Sequence, residues 1–106
     1  MANGKAAAVR LNEVDTVAVL TEDAAAGDEL YFVGVDVPTG VTVKERVPYG
    51  HKVAIKPMRE GQAVIKYGEA MGVATAAIAI GYHVHTHNVR GLESDERESL
   101  GGAVVA

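Results

Sequence analysis

The sequence predicts an all-β domain of short strands with at most one or two short helical turns. Three observations carry that reading. β-Branched residues alternate with polar ones, Gly or Pro interrupts the chain about every eight to ten residues, and no stretch shows the apolar period of a long amphipathic helix. At 106 residues there is room for one core and no large independent catalytic domain.

In chain order, residues 1–8 read as a disordered N-terminus, residues 9–92 as the folded domain and residues 93–106 as a flexible C-terminal tail. The expected strands are Val9–Asn12, Val17–Leu20, Leu30–Gly34, Val41–Val47, His51–Ile55, Gln62–Tyr67, Val73–Ala76 and His83–Asn88. Between the second and third, Thr21 stands ahead of Glu22 and Asp23 and Gly27 follows, a pattern compatible with an N-capped helical turn over Thr21–Ala26. The pattern apolar-x-x-Gly-x-x-apolar recurs at Ala24–Leu30, Met58–Val64 and Ile78–Val84, as a turn feeding a strand would produce, and its unequal intervals argue against a solenoid.

Composition excludes several classes of chemistry. The absence of Cys removes disulfides, thiolate metal sites, iron–sulfur clusters and a cysteine nucleophile, and it suits a reducing compartment. The longest apolar stretch, Val73–Ile80, is too short to span a bilayer and the N-terminus lacks a signal-peptide core, so a cytoplasmic protein with no membrane contact is expected. Leu11–Gly40 holds seven acidic and no basic residues, whereas Val41–Lys66 holds six basic and two acidic ones. On an acidic chain with only four Tyr, one Phe and no Trp, that basic middle suits a small anion better than a nucleic acid, although a solvated lysine face would look the same. There is no Walker loop, dinucleotide glycine fingerprint or serine-hydrolase elbow.

Three of the four histidines lie in Gly81-Tyr82-His83-Val84-His85-Thr86-His87-Asn88. On a strand, His83, His85 and His87 would share one face, with neighbours about 6.5–7 Å apart at Cα, close enough to converge on one metal. An exposed edge strand would give the same pattern without function. Without Cys, a mononuclear site would be of His/carboxylate/water character, suited to Fe(II), Mn or Zn. His51 follows Gly50 at the mouth of a strand, where it acts as acid or base or simply closes the turn, and Lys52 beside it can hold a carboxylate. Lys66 either snorkels to water or faces an anion, and Tyr67 either donates a phenolic hydrogen bond or buries its ring.

Gly50-His51-Lys52-Val-Ala-Ile, Glu60-Gly61-Gln-Ala-Val-Ile-Lys66-Tyr67-Gly68 and Ile80-Gly81-Tyr-His-Val-His85-Thr-His87-Asn88, in that order, resemble the SAF domain of the altronate/galactarate dehydratase family over about residues 10–90. The resemblance implies a β-clip-like fold and a part in β-elimination of water or sulfite from a small hydroxy-acid anion such as a sugar acid or sulfolactate. In layout the chain is similar to the small (alpha) subunit of (2R)-sulfolactate sulfo-lyase, which works with a large subunit. The resemblance thus implies a chain expected to be inactive alone, with a large catalytic partner of the same family and room for a homo-oligomer. The implied catalytic residues are His51, His85 and His87, and the implied substrate-binding residues are Lys52, Lys66, Tyr67 and Asn88. His85 and His87 are the expected ligands of a divalent metal, iron by family analogy, which the large subunit would help to hold. His83 falls where the family varies and ranks below them. The competing expectation is a non-catalytic SAF module that grips a sugar acid or a partner, since a fold does not fix a function.

Overall fold

The computed structural model describes residues 4–34 and 40–98. They form eight strands: β1 (Lys5–Arg10), β2 (Val17–Leu20), β3 (Glu29–Gly34), β4 (Lys52–Ala54), β5 (Ala63–Lys66), β6 (Glu69–Ala74), β7 (His83–Val84) and β8 (Val89–Arg90). One sheet has the order β3-β1-β2-β4-β7 and the other β5-β6-β8. Only the β1–β3 pair is parallel; every other pair is antiparallel.

Period-two alternation on the central strands β2 and β4 builds two cores, because neighbours along a strand leave the sheet on opposite sides. Ala18, Leu20, Val53 and Ile55 enter one cluster with Leu30, Val43 and Val47. Val17 and Ala54 enter the other with Met58, Val64, Ile78 and Val84.

The recurring glycine turn is the device that locks these strands, and the structure contains a fourth copy, Val47-Pro-Tyr-Gly50-His-Lys-Val53. Each copy closes an i to i+3 bond from the residue after glycine: Asp28 N–H to Ala25, His51 to Pro48, Gln62 to Arg59 and Tyr82 to Ala79. The four glycines have φ of 94°, 80°, 86° and 94°, the left-handed third position of a type II turn. Each glycine N–H then donates to a distant backbone carbonyl, of Val43, Leu20, Ala74 and Ala54 respectively, and each of those residues returns an N–H to the carbonyl that follows the glycine. The leading apolar residues bridge in pairs, Ala24 with Val47 and Met58 with Ile78. At Gly81 a Cβ would stand 2.2 Å from the Thr42 carbonyl oxygen, so glycine is required there for contact as well as conformation.

Several expected elements differ. Residues 5–8, expected as part of a loose terminus, belong to β1, with Ala6 and Ala8 fully buried. Thr21–Ala26 is not helical: the Thr21 N–H and hydroxyl both donate to the Ala7 carbonyl, Glu22 accepts from the Ala7 N–H, and Ala24 bridges Val47. Side chains expected to cap a helix hold β1 instead. Val41–Val47 is not a continuous strand, because Thr42 and Val47 make separate bridges on either side of a bend at residues 44–45. The strand expected over His83–Asn88 stops at Val84, and residues 86–88 turn. A short helix covers residues 94–98 inside the expected tail, of which residues 99–106 lie outside the described residues.

Candidate functional site

Two of the glycine turns deliver histidines to one place. The Gly50 turn is tied down by Asp23, whose carboxylate accepts the Tyr49 N–H at 2.7 Å, and it releases His51 at the start of β4. The Gly81 turn releases His83 into β7. The β4–β7 register pairs Lys52 with Val84 and Val53 with His83, so one more antiparallel step sets His51 opposite His85. Their rings stack with centroids 4.3 Å apart. His83 completes the group, 5.0 Å from the His51 ring and 5.3 Å from the His85 ring.

One nitrogen from each of His51, His83 and His85 lies within 4.8 Å of the others. His51 Nδ1 and His83 Nε2 are 2.9 Å apart, sharing a hydrogen bond. Two nitrogens each roughly 2.0–2.1 Å from a common metal stand about 2.9–3.4 Å apart, so this pair already has a chelating separation, with a His85 nitrogen within 4.8 Å of both. Burial first, and then His51, His85 and His87, hold His83 below the ordinary imidazole value, while Glu45 opposes the shift. His85 is lowered as well, by desolvation and then by His51, Lys52 and His87. Both are therefore biased toward the neutral ring that ligates metal. Three half-buried imidazoles with no thiolate and no fourth histidine nitrogen in reach fit an open site for a borderline divalent ion.

The geometry regroups the expected ligands. His85 is in the three-nitrogen set and His51 joins it, but His87 is exposed and lies outside it, its ring centroid 5.4 Å from that of His83. His83, ranked below the other histidines in the sequence, lies inside the set. The chain turns after His85 because Asn88 folds it: its Oδ1 accepts the His85 N–H and its Nδ2 donates to the His83 carbonyl, both at 2.9 Å. The amide expected to hold substrate thus shapes the histidine loop.

Beside the histidines opens a cleft of about 240 Å³. Lys52, His85, Thr86 and Arg90 are its polar lining residues, Val64, Met71 and Val89 much of its apolar lining, and no acidic residue lines it. Burial, and then the charge of Lys66, lower the Lys52 pKa, so an anion entering here meets a poorly solvated ammonium. Lys66 and Tyr67 do not line the cleft; the Lys66 ammonium lies 5.3 Å from the Tyr67 ring centroid. Tyr67 and Gly68 form the two-residue turn between β5 and β6, both with positive φ, 55° and 81°. Fully buried Asp15 holds that turn by accepting the Gly68 N–H at 2.8 Å, and burial and Asp15 raise the Tyr67 pKa. Sequence reasoning missed Arg90, which carries no motif and reaches the cleft only through the β6–β8 pairing of Val73 with Arg90.

No helix among the described residues is long and apolar enough to cross a membrane. The altronate/galactarate dehydratase SAF domain family matches residues 6–92. The chain is 45% identical to altronate dehydratase of Escherichia coli (strain K12) over 87 residues, 82% of this chain and 17% of that protein. It is 38% identical to the (2R)-sulfolactate sulfo-lyase subunit alpha of Chromohalobacter salexigens over 74 residues, 68% of this chain and 79% of that one. To the corresponding subunit of Paracoccus pantotrophus it is 46% identical over 50 residues, 47% of this chain and 75% of that one. The chain therefore spans 17% of the altronate dehydratase it matches but most of each sulfo-lyase subunit.

Proposed function

The chain belongs to the altronate/galactarate dehydratase SAF domain family, and from that premise we propose that it is the small subunit of a heteromeric lyase that eliminates water or sulfite from a small hydroxy-acid anion. The observation that carries the reading is the group of His51, His83 and His85 beside a cationic cleft without an acid. The chain's similarity to two proteins that are themselves enzyme subunits, the sulfo-lyase alpha chains, supports the subunit reading.

Elimination breaks a C–H bond next to a carboxylate and a carbon–oxygen or carbon–sulfur bond on the adjacent carbon. The proton goes to a base, its electron pair forms the double bond, and hydroxide or sulfite departs. The difficulty is the negative charge that develops on the carboxylate as the proton leaves. Lys52 supplies positive potential at that carboxylate, strengthened by its poor solvation. Lys66, whose charge is felt at Lys52, adds to that potential. A divalent ion, iron by family analogy, held by His51, His83 and His85 would supply Lewis-acid polarisation of the carboxylate and hydroxyl oxygens, with further ligands coming from the large subunit. In this reading His87, exposed with its ring 5.4 Å from that of His83, carries a proton between the site and solvent.

The test is reconstitution with the large subunit, assaying altronate, galactarate and sulfolactate with and without the small chain. Loss of turnover on omission, and again with His51→Ala or His85→Ala in a folded chain, supports the reading. Undiminished turnover in both cases refutes it and leaves a binding or assembly module.

A further inference from the structure

Arg90 is the cleft cation that neither motif nor expectation singled out. Its backbone is set by the β6–β8 ladder, where Gly72 allows close approach: a Cβ there would stand 2.5 Å from the Arg90 carbonyl oxygen. Arg90 is a lining residue of the same cleft as Lys52 and His85. Its guanidinium meets Glu96 of the short helix, with Nη1 to Oε1 at 2.8 Å and Nη2 to Oε2 at 2.9 Å. Nη1 also donates to the Gly91 carbonyl at 3.2 Å. The two parallel bonds make the bidentate fork by which guanidinium recognises a carboxylate.

We propose that Arg90 is a carboxylate-binding residue of the cleft and that Glu96 occupies it as an internal competitor until a hydroxy-acid anion arrives. The proposal rests on the reading of the cleft as a hydroxy-acid site. Three features support it. The cleft gathers Lys52, His85 and Arg90 without a lining acid, so the carboxylate drawn to it from within the chain comes from outside its wall. The guanidinium already holds the geometry that a substrate carboxylate requires. The pair is open to water, with side chains 47% and 25% exposed, and such pairs exchange readily with solutes because water and salt weaken them. Glu96 has a second task, accepting the Glu93 N–H at 3.0 Å as the far half of a capping box. On displacement that exposed N–H turns to water, so the helix start loosens as the anion binds.

The experiment is titration of the full chain at low ionic strength with D-galactarate, with galactitol as the uncharged control, read by calorimetry and by the Arg90 side-chain NMR resonance. Glu96→Gln is expected to tighten galactarate binding by about 2- to 5-fold, the range an exposed ion pair supplies. Arg90→Gln is expected to weaken it at least roughly tenfold, and Arg90→Lys, which keeps the charge without the fork, to fall between. The double variant Arg90→Gln/Glu96→Gln should match Arg90→Gln alone, because Glu96 acts only through the guanidinium. Equal binding by Glu96→Gln and wild type, unchanged binding by folded Arg90→Gln, tight binding of galactitol, or no galactarate binding by any form would each overturn the proposal. If titrations are flat while reconstituted turnover still requires His85, only the Arg90 assignment fails. If they behave as expected while turnover ignores the small chain, the assignment stands and the lyase reading fails.

Discussion

Asn88→Ala separates two roles for one amide, orienting substrate or folding the histidine loop. Asn88 accepts the His85 N–H and donates to the His83 carbonyl, each at 2.9 Å and partly buried. A neutral hydrogen bond of this kind contributes about 0.5–1.5 kcal/mol net, so losing two costs about 1–3 kcal/mol. The loss falls on the segment that presents two of the three candidate ligands. Outer residues that hold ligands in place typically govern about 10- to 100-fold in metal affinity. Urea unfolding of the metal-free chain should show the lower stability, and Co(II) titration followed by visible absorbance should show the weaker binding. Asn88→Asp is the sharper control: it keeps an acceptor for the His85 N–H but sets a carboxylate oxygen against the His83 carbonyl, so its stability should fall at least as far. An Asn88→Ala chain with unchanged stability and unchanged Co(II) affinity, but a raised KM in the reconstituted enzyme, would refute the loop-folding argument and restore the substrate role.

Three further outcomes follow from the same geometry. Asp15→Ala leaves the Leu11, Asn12 and Gly68 N–H groups without their carboxylate; at about 1–3 kcal/mol for each buried donor left unsatisfied, the unfolding free energy from urea denaturation should drop sharply, and a drop of under about 1 kcal/mol would contradict the assignment. Gly72→Ala drives a methyl group toward the Arg90 carbonyl and the Val89 side chain; overpacking of this kind costs about 1–3 kcal/mol, measurable by thermal unfolding, and should shift the Val89 and Arg90 amide resonances first. Glu96 is held at about 2 against an ordinary 4.5, with the Arg90 hydrogen bond the largest cause and the Glu93 backbone N–H next. A depressed carboxyl pKa means the contribution is present above pH 4.5 and lost as pH falls toward 2, so NMR at falling pH should show the helix over residues 94–98 fraying in that window. Fraying that begins near neutrality would contradict the pairing.

The parts of this fold legible in the sequence are those written in local pattern. Val17–Leu20 alternates β-branched and small residues and is β2 as expected. The glycine-turn spacing announced three tight turns, and the same rule applied to Val47-Pro-Tyr-Gly50-His-Lys-Val53 reads out the fourth. What failed was decided by partners distant in the chain. Lys5-Ala-Ala-Ala has no β-branched signal, yet it is a strand because β2 and β3 flank it and alanine fits the space between. Thr21 and Glu22 look like a helix start, but the Ala7 backbone claims their side chains. At the site, strand alternation expects His83, His85 and His87 on one face, whereas the chain turns over residues 86–88, so His51 from β4 and not His87 completes the three-nitrogen set. The pairing of His51 with His85 is a register property of β4 and β7, and Arg90 enters through β8, so no local window shows either.

The central claim is that His51, His83 and His85, rather than His87, form one divalent-metal site. Co(II) titration of the full chain and its four single His→Ala variants, read by d–d absorbance and by the imidazole NMR resonances, tests it most directly. One equivalent should bind wild type and His87→Ala within about threefold of each other, while each of the other three variants loses roughly 100-fold or more. Binding abolished by His87→Ala, or indifferent to His51 and His83, would contradict the account.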